Sequence, residues 1–250
     1  MPSITEYREP YKTGGKFEYP EYYDRFQNAI ASVWRPEEVS MAQDVYDWAE
    51  ALPEEREVIA GILRGFTQLE THVACYWGDV VTQYFPKHEV QAMARSFSCS
   101  EAVHAAAYSH LSDTLGIDEF EAFLGDPVAR DKIDYFVNQS DPIVSLGVFS
   151  GAGEGVSLFS SFAALLSFNL DGRFKGVSQI LSWSALDEQQ HSDGGCALFR
   201  ALDAEGRVTG EHKAQIVEGF KAVLANEDAF LESIFNGYEL PCISRTDLYH

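Results

Sequence analysis

Apolar residues recur along most of this chain at spacings of three and four, the rhythm of helices that bury one face. No stretch shows convincing period-two alternation. After an irregular arm over 1–19, the pattern predicts a helix over about 20–32 that ends near Trp34-Arg35-Pro36, and a short helix around 40–50. Pro53 opens a long helix, with proline in the first turn and Glu54, Glu55 and Glu57 close to the positive end of the helix dipole. Its apolar stripe runs Ile59, Ile62, Phe66, Leu69, Val73, Tyr76, Val80. A second long helix over 88–115 turns Val90, Met93, Phe97, Glu101, His104, Tyr108 and Leu111 inward. A more polar helical stretch (118–140) leads to helices over about 142–169 and 174–203, and a last amphipathic helix spans 212–235. The inward face of the first of these reads Gly147, Gly151, Glu154, Leu158, Phe162, Leu165. That of the second reads Val177, Ile180, Ser184, Glu188, His191, Gly195, Leu198.

Six polar residues stand on those apolar stripes, in an arrangement that occurs twice. A Glu is followed about thirty residues later by Glu-x-x-His: Glu70 with Glu101 and His104, then Glu154 with Glu188 and His191. The i, i+3 spacing puts each Glu and His on one helix face, and the gap fits two antiparallel helices meeting at their midpoints. Four such helices bring four carboxylates and two imidazoles to one point inside a bundle, the ligand set of ferritin-like di-metal proteins. The expected fold is an all-α, ferritin-like helical bundle, one domain over 1–250, with a buried di-metal carboxylate site. The charges balance: four carboxylates against two divalent ions, with neutral imidazoles. Carboxylate and imidazole donors without nearby cysteine suit iron or manganese rather than zinc or iron–sulfur centres.

Between Asp141 and Asp171 the only charged residue is Glu154. The run is long enough for a membrane span, but Pro142, its glycines and serines and the central acid argue for a helix buried in protein. There the charge must be neutralised, protonated or liganded. The Gly151-Ala152-Gly153-Glu154-Gly155 cluster lacks the strand and spacing of a phosphate loop and points instead to close helix packing or a local π-bulge. A net charge of −21 excludes the basic stripe of a nucleic-acid surface. Cys75, Cys99, Cys196 and Cys242 show no paired spacing, which suits a reducing cytoplasm.

Three neighbours of the site suggest redox chemistry. Tyr108 lies four residues after His104 on the same face. Asp187 precedes Glu188, where a carboxylate could bind the far nitrogen of a ligating histidine. Trp34, by itself, reads as a core aromatic. Together, Trp34-Arg35-Pro36-Glu37-Glu38-Val39, Glu101-Ala102-Val103-His104 with Tyr108, and Asp187-Glu188-Gln189-Gln190-His191 resemble the radical-generating small subunit of class I ribonucleotide reductase, in consistent order from about residue 20 to 240. The resemblance implies that Glu70, Glu101 and His104 bind one metal ion and Glu154, Glu188 and His191 the other, with bridging carboxylates. The pair would be Fe/Fe, Mn/Mn or Mn/Fe. It implies that Tyr108 is the radical tyrosine, and that Trp34, Asp187 and His104 form a hydrogen-bonded conducting chain. It further implies O2 or a reduced oxygen species as oxidant, a homodimer, and a large catalytic subunit that makes the deoxyribonucleotide.

The chain departs from that family at three places. Glu70 stands where Asp is usual, Ser184 where an apolar residue shields the tyrosine, and the family continues beyond Leu248-Tyr249-His250 with a further helix and a tail carrying a conducting tyrosine. Two other readings fit the ligand pattern: a di-metal oxidase or hydroxylase with a cavity for an apolar ligand, and a metal-storage protein of ferritin type.

Overall fold

A computed structural model describes residues 3–7, 17–118, 120–137 and 141–248. Helices α1 (Pro20–Ala31) and α2 (Ala42–Glu50) flank a short 3-10 turn at Pro36–Glu38, and α3 (Pro53–Cys75) and α4 (His88–Leu115) follow. Beyond them lie α5 (Phe120–Gly125), α6 (Pro127–Val137), α7 (Pro142–Asp171), α8 (Lys175–Ala204), α9 (Gly210–Phe235) and α10 (Arg245–Leu248). No strand occurs among the described residues.

The bundle is made of two antiparallel pairs. On the α3–α4 pair, Phe66 meets Tyr108 with ring centroids 5.0 Å apart, and Ser98 Oγ donates to the Ala74 carbonyl at 2.8 Å. On the α7–α8 pair, Phe168 meets Phe174, and Ser150 packs on Gly195. Helix α9 lies parallel to α7 and antiparallel to α3, so that Phe220 covers Gly151 and Phe230 covers Gly65. Among the described residues α7 alone is long and apolar enough to cross a membrane, and it packs between α8 and α9. A Cβ on Gly151 would stand 2.5 Å from Phe220, which is the close packing the glycine cluster suggests.

Helix α8 carries four of the residues of interest, and α2 fixes where it begins. Asp44 accepts from the backbone amides of Gly176 and Val177 at 3.0 and 2.8 Å, and Asp47 from that of Phe174 at 2.8 Å. These carboxylates satisfy amide donors that the first turn of a helix leaves without partners. Nearby, Arg173 grips Glu55 with two parallel bonds of 2.8 Å, and Glu55 also accepts from the Leu52 amide at the start of α3.

Three sequence expectations need correction. The stripe on α3 ends early: Val80 is 43% exposed and Val81 is buried in its place. The chain widens into a π turn at Tyr76–Val81, which adds a residue to the turn and moves the buried face on by one. The stretch over 118–140 is two short helices parted at Asp126; residues 119 and 138–140 lie outside those described. In α7 the π-bulge expected at the glycine cluster is present, since Phe149–Ser157 is π-helical and contains Glu154, but the single inward face expected for this helix is not. That change of register turns Gly147 and Gly151 to α9 while Glu154 faces α8. In the N-terminal arm, Ser3 and Ile4 are irregular but anchored, with Ile4 fully buried and both residues donating to Glu205. Most of the remaining arm (8–16) and Tyr249 lie outside the described residues.

Candidate metal centre

Glu70, Glu101, His104, Glu154, Glu188 and His191 are all buried, the most exposed at 1%. They form two donor groups. Glu70, Glu101, His104 and Glu188 make one; Glu101, Glu154, Glu188 and His191 make the other, with the donor atoms of each group within 4.8 Å of one another. Glu101 and Glu188 belong to both. Each comes from the midpoint of its helix, so the duplicated sequence pattern becomes one cluster between the two antiparallel pairs.

His104 Nδ1 lies 2.9 Å from Glu101 Oε2 and 3.1 Å from Glu188 Oε1. His191 Nδ1 lies 2.5 Å from Glu101 Oε1 and 3.3 Å from Glu188 Oε2. Neither oxygen of Glu70 nor Oε2 of Glu154 accepts a hydrogen bond. An unpaired buried carboxylate is costly, several kcal/mol even after relaxation, so these oxygens call for a proton or a cation. Burial, then the charges of Glu101 and Glu188, push Glu70 well above the ordinary carboxylate range. Burial and the same two charges do this to Glu154. Burial also raises Glu101, but the imidazoles of His191 and His104 outweigh it and hold the carboxyl low. The same histidines keep Glu188 low against its own burial and the charge of Glu101. Burial opposes the charged form of both imidazoles, yet the Glu101 carboxylate dominates, lifting His191 to about 9 and His104 well above its ordinary value. Four protons, on Glu70, Glu154 and the two imidazoles, would neutralise the cluster. Two divalent cations would supply the same charge to the same atoms, so the residues present fit a di-metal centre.

Behind His104, Asp187 Oδ2 stands 3.2 Å from Nε2 and accepts from the Trp34 indole at 2.9 Å and from Ser100 Oγ at 3.2 Å. Trp34 lies nearly parallel to the His104 ring, centroids 5.7 Å apart, and also touches Trp183. A carboxylate on the far nitrogen of a ligating imidazole fixes its tautomer and orientation. Tyr108 is fully buried against Phe66 and 6.4 Å from His104, ring to ring. Burial, then the Glu70 charge, raises its phenol well above the ordinary value, and the Ser184 hydroxyl sits beside it. The structure thus brings all nine residues singled out by sequence into one connected cluster.

Two features were missed. Trp77, in the π turn after α3, donates its indole N–H to Glu154 Oε1 at 2.6 Å. Its place two turns after Glu70 was the available signal. Away from the centre, Lys132 of α6 is buried against Glu227 of α9, whose carboxylate also accepts from Ser161 at 3.3 Å. The ammonium stands 4.3 Å over the Phe230 ring.

Comparison with known proteins gives a consistent picture. The family model described as "Ribonucleotide reductase, small chain" matches residues 15–249. The chain is 34% identical to the ribonucleoside-diphosphate reductase small subunit 376L of Invertebrate iridescent virus 6, across 95% of this chain and 73% of that one. It is 27% identical to the human ribonucleoside-diphosphate reductase subunit M2, over 74% of this chain and 50% of that one. Among solved structures, the dimanganese(II) protein NrdF of Streptococcus sanguinis superposes with a TM-score of 0.83 at 18% identity, covering 92% of this chain and 84% of that one. The Rnr4 homodimer of Saccharomyces cerevisiae gives a TM-score of 0.79 at 17% identity, covering 93% and 79%.

Proposed function

Given that the chain belongs to the ribonucleotide reductase small-chain family, we propose that it generates an oxidising radical beside a di-metal centre and passes it to a large catalytic subunit. The observation that carries this reading is the double donor group sharing Glu101 and Glu188, with a hydrogen-bonded chain leaving it through His104 and Asp187 to Trp34. Glu70, Glu101, His104, Glu154, Glu188 and His191 would hold two ions. Iron or manganese bound there would supply one-electron oxidising power drawn from O2 or a reduced oxygen species.

Tyr108 is the residue poised to hold the oxidising equivalent. Its raised phenol keeps the proton until the electron leaves, so oxidation removes both together and yields a neutral radical in a sealed pocket. Reduction reverses that step when a deoxyribonucleotide is made elsewhere. Asp187 has two tasks: it holds the imidazole of His104 by its far nitrogen, and it accepts the indole proton of Trp34, so the electron can move with little rearrangement of protons. Trp34 is nearly buried and ends the chain near the surface. The large subunit, a homodimeric state and a cytoplasmic setting complete the proposal; the name of the viral small subunit and the Rnr4 homodimer support the first two.

The test is a low-temperature electron paramagnetic resonance spectrum taken after metal loading and exposure to O2. A tyrosyl signal lost in Tyr108→Phe, with metal retained, supports the assignment. Full metal loading in a Glu188→Ala/His191→Ala double variant would overturn it.

A further inference from the structure

We infer that Trp77 is a positioning residue that holds Glu154 by one oxygen and leaves only the other for the ion on the His191 side. The inference rests on the di-metal reading above. Trp77 is fully exposed to protein and not at all to solvent, and its indole nitrogen spends its one proton on Glu154 Oε1 at 2.6 Å. Glu154 Oε2 accepts no hydrogen bond. At the opposite end of the cluster, neither oxygen of Glu70 accepts one. The two terminal carboxylates, which the sequence pattern presents as equivalents, are therefore held differently. Glu70 can offer two oxygens to its ion, and Glu154 one.

The indole cannot swing away. Its ring meets Phe97 and Phe149 edge-on, with centroids at 5.0 and 5.8 Å, and lies 6.2 Å from the His191 ring. On its remaining side Gly195 leaves room: a Cβ there would stand 3.3 Å from the Trp77 ring and overlap Ser150. The hydrogen bond also joins two irregular segments, because Trp77 lies in the π turn of Tyr76–Val81 and Glu154 in the π segment of Phe149–Ser157. Tyr76 stacks on Phe149 between the same two segments, centroids 3.7 Å apart. The indole–carboxylate bond thus ties the two π segments to each other. Groups that orient a ligand from behind typically change metal affinity by about 10- to 100-fold when removed.

The experiment replaces Trp77 in the full-length chain with β-(3-benzothienyl)alanine, which keeps the shape of the indole and puts sulfur where the N–H was. Wild type, this analogue and Trp77→Phe are titrated with Mn(II), free ion being read by electron paramagnetic resonance, and melted by circular dichroism. The expected result is two ions in wild type. Both variants should bind one ion with unchanged affinity and the other about tenfold or more weakly, while the analogue melts with wild type. If the analogue binds both ions as wild type does, Trp77 contributes packing alone and the inference fails. If wild type itself does not bind two ions, the di-metal reading fails and takes this inference with it.

Discussion

Glu101 and Glu188 face each other from the midpoints of α4 and α8, and each belongs to both donor groups of the cluster. Neither ion position can be emptied of them separately. Glu101→Ala or Glu188→Ala should therefore cost both ions, whereas Glu70→Ala should cost mainly the one on the His104 side. Metal analysis of the purified variants checks this, and a Glu101→Ala protein that keeps one ion at wild-type affinity would contradict the sharing.

Metal binding should release protons. Glu70 and Glu154 are raised well above the carboxylate range, and both imidazoles are raised, His191 to about 9. A divalent ion needs these groups without their protons, so protons compete with metal below those values. Apparent affinity should climb with pH and still be rising as pH passes through about 9, the value for His191. Calorimetry in buffers of different ionisation enthalpy should report about four protons released per chain at neutral pH on filling both positions. Release of fewer than about one would mean that the metal-free cluster is not neutralised by protons.

Ser184 puts a hydroxyl beside Tyr108, whose ring packs on Phe66 in the interior of the protein. Replacing Ser184 with Ala, smaller by one oxygen and without a donor, should lengthen the life of the tyrosyl signal after a single exposure to O2. Decay as fast as in wild type would show that the hydroxyl is not the route of loss.

Trp34→Phe removes the indole donor to Asp187 and leaves the cluster itself untouched. The variant should load metal and form the tyrosyl signal normally, yet lose at least about 100-fold in deoxynucleotide formation with the large subunit, because an interrupted proton–electron relay slows only the transfer. Unchanged turnover would place the conducting route elsewhere.

The Lys132–Glu227 pair gives a stability test remote from the metals. Lys132→Met leaves a buried carboxylate facing only hydroxyls and should cost about 3–5 kcal/mol in urea unfolding, while adding Glu227→Leu should recover much of that loss. The Glu55–Arg173 bridge adds a pH arm. Two bonds from Arg173 hold Glu55 below its ordinary value. Its contribution is complete above the unfolded carboxylate value of about 4.3 and fades as pH falls through the lower folded value. In Arg173→Met that part of the acid destabilisation should disappear.

The long helices and the six acid and imidazole residues were legible because periodicity and burial act together. A Glu placed three or four residues from Phe66 and Val73 has no direction to point but inward. Trp77, two turns after Glu70, shares its helix face and was hidden only by reading its neighbour Tyr76 as the stripe; the exposure of Val80 is what needed the widened turn, which a period of 3.6 cannot represent. Pairings between distant segments were equally silent. Nothing local to Asp44 announces that it closes the first turn of α8, or to Lys132 that its partner lies on α9, since both depend on how the elements assemble.

The π segment at Phe149–Ser157 has one last consequence. With its run of glycines it reads like a linker in which a residue could be lost or gained without harm. Yet each residue of a helix turns the chain by about 100°, and the widened stretch is what sets the bearing of Glu154 against α8. Deleting a single glycine there would leave composition, charge and hydrophobicity almost unaltered while swinging the carboxylate out of the cluster. The most permissive-looking stretch of this chain is therefore the one whose length is least free to drift.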